Sequence, residues 1–184
     1  DARQDGQRWR ARACAILTGI GTVRDDDPQL NVRGVETSRQ PLRVVVDSRL
    51  ETPLTARILQ GGQVLVAAAV DDEKRANLLR SAGAEVLVLP NAAGKVELKD
   101  LLEELGRRGI NEVHAEAGFK LNGSLLREGL VDELLLYLAP CLIGHDASGL
   151  FNLPELTTLD DKRRLQIRDL RQVGADIRLI ARLL

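Results

Sequence analysis

The stretch VHAEAGFKLNGSLLREG, residues 113–129, sets an acid, a glycine-bearing bend and several hydrogen-bond donors in immediate succession. A short apolar run ends in Glu116, Gly118 follows, and a helical pattern begins at Phe119. Ligands of open α/β sheets bind beyond the carboxyl ends of parallel strands, and this segment has the form of such an end. Gly118 lets a ligand or another backbone come close, and the helix behind it opens with unpaired N–H groups. A helix start of this kind attracts phosphate, by about 0.3–1 kcal/mol when exposed and up to ~2 kcal/mol when partly buried. Lys120, Asn122 and Ser124 add donors. The chemistry offered is phosphate binding beside a carboxylate acceptor. The same residues also describe an ordinary strand–helix turn with Glu116 solvated, and no G-x-G-x-x-G decides between the two.

A second candidate is GIGTVRDDDPQLNVR, residues 19–33, read as a glycine-lined loop after a strand. Thr22 offers a hydroxyl, Asp25 to Asp27 offer acceptors, Asp27-Pro28 marks a turn, and Arg33 returns a guanidinium. Arg24, Arg33 and Arg49 stand in or beside loops where a multiply anionic ligand could use them, although each taken singly reads as a surface arginine. The aspartate run reads as a solvated turn rather than a metal site. His114-Ala115-Glu116 with Pro140-Cys141 imitates the signature of zinc deaminases, but Gly144 stands where the second cysteine is required. Three protein ligands do not assemble, so no metal is expected. His114 reads as a strand histidine packed in or near the core, and His145 as a loop residue.

These residues need a scaffold, and the composition allows one. A chain of 184 residues, 44% hydrophobic and 29% charged, makes one globular domain with a substantial core. A net charge of −1 advertises neither nucleic acid nor anionic membrane, and four aromatics (Trp9, Phe119, Tyr137 and Phe151) are too few for a base-stacking platform. No apolar run is long enough to span a bilayer and no signal peptide is read at the start. Cys14 and Cys141 lie in apolar segments without framework spacing and read as buried free thiols of a reducing compartment, so a cytoplasmic domain is expected. The opening DARQDGQRWRARA begins as a polar helix without a start signal, and Met is absent throughout, so the chain is expected to be part of a longer one.

After the helix over 1–13 come strands at 14–18 and 42–47, the latter an apolar β-branched run of the kind buried on both faces. The chain then alternates: strand 63–70, helix 71–82, strand 84–89, helix 97–108, strand 111–115, helix 119–128 and strand 132–138. Asp71 or Asp72 can cap the first of these helices and Gly83 end it. Leu98, Leu101, Leu102 and Leu105 form one apolar stripe on the second. Alternation of this kind means βαβ crossovers and a largely parallel sheet. The last residues, RRLQIRDLRQVGADIRLIARLL, read as an antiparallel hairpin turning at 173–176. The expectation is one mixed α/β sheet, mostly parallel, finished by an antiparallel hairpin.

The segments AILTGIGTVRDDDPQLNVR, PLRVVVDSRLETP and VHAEAGFKLNGSLLREGLVDELLLYLAPCLIG together resemble the reductase domain of the bifunctional riboflavin-biosynthesis deaminase/reductase, from about residue 3 to the end. The resemblance implies a dihydrofolate-reductase-like fold with helices on both faces. It implies reduction of 5-amino-6-(5-phosphoribosylamino)uracil to the ribitylamino compound with NADPH, by a cytoplasmic homodimer or larger assembly joined through the apolar strands and hairpin near the C-terminus. Position by position it assigns Arg10, Leu30, Arg33 and Glu116 to the substrate. To the cofactor it assigns Thr22, Asp26, Ser48 and the loop Gly118, Phe119, Lys120, Leu121, Asn122, Gly123 and Ser124. Two arginines, Arg10 and Arg33, would converge on the phosphoribosyl group, and Ser48 beside Arg49 would receive the 2′-phosphate. No proton donor is identified. Set beside that family, the single domain 1–184 is expected to lack the first strand and the deaminase domain, which would leave a central gap in the sheet. A sister reductase acting on the related 2,5-diamino-6-ribosylamino-pyrimidinone phosphate, and a binding or dimerisation module without catalysis, are the alternatives.

Overall fold

A computed structural model of the chain describes residues 1–144, 147, 149–155, 157–158, 160 and 162–184. His145, read above as a loop residue, lies outside the described residues. The elements run α1 (Ala2–Arg12), β1 (Ala15–Gly19), α2 (Ile20–Asp26), β2 (Leu42–Val46), β3 (Val64–Ala68), α3 (Glu73–Ser81) and β4 (Ala84–Val88). They continue through α4 (Leu98–Arg107), β5 (Val113–Ala115), α5 (Phe119–Arg127), β6 (Glu133–Leu138), β7 (Leu165–Val173) and β8 (Asp176–Leu183).

The apolar runs pair in parallel as a five-stranded sheet in the order β4-β3-β2-β1-β5. Consecutive strand residues point to opposite faces, so each run feeds two cores. Ile16, Val45 and Val66 join Leu79 of α3 and Ile58 on one face. Leu17, Val44 and Leu65 join Leu101 and Leu105 of α4 and Leu125 of α5 on the other. The apolar stripe of α4 is buried as its spacing predicts, with Leu101 and Leu105 at 0% exposure. Asp72 caps α3, accepting from the Arg75 N–H at 2.9 Å, and Gly83 follows in the left-handed region at φ 94°.

Three expectations need correction. Residues 19–33 are not loop throughout: Ile20–Asp26 form α2, because Ile20 and Val23, one turn apart, pack into the first core and anchor a helix across two glycine-interrupted turns. The strand at 133–138 does not extend the parallel series. It pairs antiparallel with β8, which pairs with β7, giving a separate three-stranded sheet in the order β6-β8-β7. The α/β class, the parallel units and the C-terminal hairpin stand, but β5 and β6 are not paired with each other. Finally, both cysteines are free but not buried: Cys14 is half-buried and Cys141 exposed, since the apolar segment after β6 leaves the sheet, with Leu142 and Ile143 exposed beside it.

Helix α1 bridges the two sheets. At its start Asp5 Oδ2 accepts from the Tyr137 hydroxyl on β6 at 2.6 Å and from Arg178 Nη1 on β8 at 2.8 Å. Arg178 continues to Asp169 of β7 at 2.8 Å and lies 5.6 Å from the Trp9 ring centroid. At its end Arg10 reaches Glu116, just past β5. Removing one partner from ion pairs as enclosed as these costs more than the pair is worth, because the other charge stays desolvated.

Candidate functional site

The carboxyl ends of β2, β1 and β5 are neighbours in the parallel sheet, so the segments that follow them share one rim. Thr22 stands in α2, directly after β1; Ser48 follows β2; Gly118 follows β5. The two glycine bends touch. Thr22 Oγ1 is 3.8 Å from where a Cβ at Gly118 would stand, and a Cβ at Gly19 would meet Leu121 Cδ2 at 3.4 Å.

Helix α5 starts at an extended Gly118 with no side-chain cap. Its first N–H groups, which like those of any α-helix have no intrahelical partner, receive no side-chain cap among the described residues, and Gly118, Phe119 and Lys120 are exposed around them. The rest of the 118–124 segment faces inward. Leu121 packs against the second core. Asn122 Nδ2 donates to the Ala117 carbonyl at 2.8 Å, and the Ser124 hydroxyl donates to Lys120 O at 3.2 Å. Gly123 is buried, and a Cβ there would lie 2.6 Å from Asn152 N and 2.8 Å from its carbonyl carbon. Asn152 N–H donates to Phe119 O at 3.0 Å and the Arg127 guanidinium donates to Asn152 O, so residues near 152 lie strapped across α5. Gly123 thus makes room for the strap.

Beside this rim lies a cavity of about 870 Å³, lined among others by Arg10, Arg33, His114, Glu116, Leu135 and Tyr137. Arg10 grips Glu116 with both prongs, Nε to Oε1 and Nη2 to Oε2, each at 2.6 Å, while its Nη1 donates to Asn31 O at 3.2 Å. His114 Nε2 is 3.3 Å from Glu116 Oε1. Burial pushes the Glu116 carboxyl upward, but the hydrogen bonds from Arg10 and His114, with the Arg10 charge, outweigh it and hold the pKa at about 2. The site therefore contains an acceptor that is ionised near neutral pH. Arg33 is exposed, its backbone N–H donating to Gln7 Oε1 at 2.9 Å.

The remaining candidates fall in different places. Leu30 is 3% exposed in the first core, with φ 49°, so its side chain is scaffold and does not face the cavity. Asp26 is exposed in the last turn of α2, whereas Asp27 accepts from Arg57 N at 2.8 Å and belongs to the scaffold. Arg24 pairs with Glu51 at 2.9 Å. Ser48 Oγ accepts from Val96 N at 3.2 Å, and Arg49 beside it is exposed. Arg10 does not present a free fork for phosphate, because Glu116 takes it. His114 is not core packing; it is half-buried on the cavity wall. The signal that finds it is its two-residue spacing from Glu116, which in a strand puts both side chains on one face. Tyr137 had no such local signal, since only the partner sheet brings it to the cavity.

Comparison with known proteins decides the family: the description "RibD C-terminal domain" matches residues 1–179. The chain belongs to the RibD C-terminal domain family. It is 38% identical over 190 residues to the riboflavin biosynthesis protein RibD of Escherichia coli, covering 96% of this chain and 50% of that protein. It is 31% identical to the 5-amino-6-(5-phosphoribosylamino)uracil reductase of Buchnera aphidicola, covering 97% of this chain and 91% of the relative. The structure of RibD from Acinetobacter baumannii superposes with a TM-score of 0.86 at 37% identity, over 100% of this chain and 50% of that one. The chain thus spans about half the length of the RibD proteins it matches. The RibD C-terminal domain match embraces both glycine bends and the cavity residues, so the whole candidate site lies inside the family region.

Proposed function

We propose that this chain is the NADPH-dependent reductase unit that converts 5-amino-6-(5-phosphoribosylamino)uracil to 5-amino-6-(5-phosphoribitylamino)uracil in riboflavin biosynthesis. The observation carrying this reading is the contact between the two glycine bends, Thr22 to Gly118 at 3.8 Å, beside the cavity holding Arg33 and the Arg10–Glu116 pair. The name of the Buchnera relative, nearly all of which the chain covers, supports the substrate.

The uncapped start of α5 fits a dinucleotide: its free N–H groups and exposed Lys120 suit a pyrophosphate. Thr22, Asp26 and Ser48 complete the cofactor side, with Arg49 taking the 2′-phosphate. When bound, NADPH supplies the hydride for C1 of the opened ribose. Arg33 neutralises the phosphoribosyl phosphate. Arg10 holds Glu116 ionised and oriented, and Glu116 accepts a hydrogen bond from the pyrimidine or ribose. The chain's own contribution is thus orientation of hydride donor and acceptor carbon.

Mixing the purified protein with NADPH and the substrate should consume NADPH absorbance. Turnover of the diaminopyrimidinone phosphate instead moves the substrate assignment to the sister reductase. An NADPH titration without binding at millimolar concentration moves the chain to the non-catalytic class. Replacing Arg49 by Ala should lower the NADPH-over-NADH preference about tenfold, as expected for loss of one charge-assisted contact; an unchanged preference removes Arg49 from the site.

The reading includes a cytoplasmic homo-oligomer joined through the hairpin, whose Leu165, Ile167, Leu170 and Ile177 are exposed. Ile167→Lys should shift a sedimentation profile toward monomer; an unshifted profile sinks that interface.

A further inference from the structure

We propose that His114 is a positioning residue that decides which oxygen of Glu116 the substrate meets; this rests on the reading of Glu116 as a substrate contact. An ionised carboxylate has two acceptor sites on each oxygen. On Glu116, Oε1 receives Arg10 Nε at 2.6 Å and faces His114 Nε2 at 3.3 Å. Among the described contacts Oε2 receives only Arg10 Nη2, at 2.6 Å. Arg10 and the nearby His114 ring flank Oε1, whereas Oε2 keeps one open site.

That site only accepts, because Glu116 stays ionised. It admits an N–H or O–H donor, such as an amine hydrogen of the pyrimidine or a ribose hydroxyl, and opposes a carbonyl oxygen, whose lone pairs would face its own. The strand enforces this arrangement, since residues 114 and 116 share a face. The charged and titratable groups that line the cavity with His114 are Glu116 just past its own strand, Arg3 and Arg10 from α1, Arg33 from the loop after α2, and Tyr137 from β6, which bonds Asp5. From β1 its register partner is the apolar Ile16. Without His114 the second site of Oε1 opens, and the carboxylate can meet water or substrate through either oxygen. Substrate affinity then falls, while hydride transfer, in which His114 takes no part, continues.

The test uses the protein expressed from its full reading frame. His114→Val should raise KM for the phosphoribosylaminopyrimidine about tenfold with kcat within about twofold, the pattern of lost uniform binding. His114→Gln, whose amide N–H can stand in for Nε2–H, should return KM to within about threefold of the wild type. KM for NADPH should stay the same in both. Should His114→Val fail to fold by its melting curve, His114→Asn, too short to reach Oε1, takes its place against Gln. Equal KM values for the Gln variant and the variant without a donor, or a fall in kcat at constant KM, overturn the proposal while wild-type turnover keeps the reductase reading. A wild type without turnover removes both.

Discussion

Replacing Glu116 by Gln is expected to lower kcat/KM by about 100-fold and to destabilise the fold by at most about 3 kcal/mol near neutral pH. The stability figure follows from the carboxyl's fall from its ordinary 4.5 to about 2, in a side chain 29% exposed, so that solvent screening trims it. The sign of the pH effect is fixed by the depressed pKa. Above about pH 4.5 the group is ionised in folded and unfolded chains alike, and the Arg10 and His114 contacts contribute fully. As pH falls from about 4.5 to about 2 the unfolded chain takes up the proton first, and this contribution is lost. Urea melts of wild type and Glu116→Gln across that window should therefore converge at the acid end. Curves that stay parallel would show that the pair does not hold the fold. Part of the loss at neutral pH is the cost of leaving the Arg10 guanidinium, 16% exposed, without its carboxylate.

Gly123→Ala should weaken NADPH binding about thirtyfold, equivalent to about 2 kcal/mol. The new Cβ would meet Asn152 N at 2.6 Å and its carbonyl carbon at 2.8 Å, and a backbone cannot rotate aside as a side-chain end can. Overpacking of this kind costs roughly 1–3 kcal/mol, against a helix-propensity gain of about 1 kcal/mol for Ala over Gly. Relief comes by lifting the strap, which breaks the Asn152 to Phe119 bond of 3.0 Å and frees the start of α5 to shift. Limited proteolysis should cut near residue 152 faster in the variant, and NADPH titration should report the lost affinity. Unchanged digestion with unchanged affinity would mean the strap does not shape the cofactor side.

Position 123 shows where local reading stops. As one of several small or polar residues after Gly118 it looks like part of a phosphate loop, and only a segment almost 30 residues later explains its lack of a side chain. His114 shows the reverse. Its spacing from Glu116 was visible, but a histidine in an apolar strand reads equally as core until the neighbouring sheet ends at β5 and leaves a cavity there. Arg10 and Glu116 were each picked out as substrate contacts, yet nothing in a linear chain says that groups 106 positions apart bond to each other first. The short helix α2 escaped notice because seven residues with a glycine among them carry too little periodicity to outweigh turn-forming neighbours.

By itself the order of residues determined the α/β class, the parallel units, the hairpin and the two glycine bends. Those depend on hydrophobic period and turn chemistry, which act over a few residues. Tertiary structure alone decided that the strands divide into two sheets, that α1 ties them together through Asp5 and Arg10, and that Glu116 keeps one open acceptor site. Strand partners and ion pairs are chosen by distance in space, and the chain must close before those distances exist.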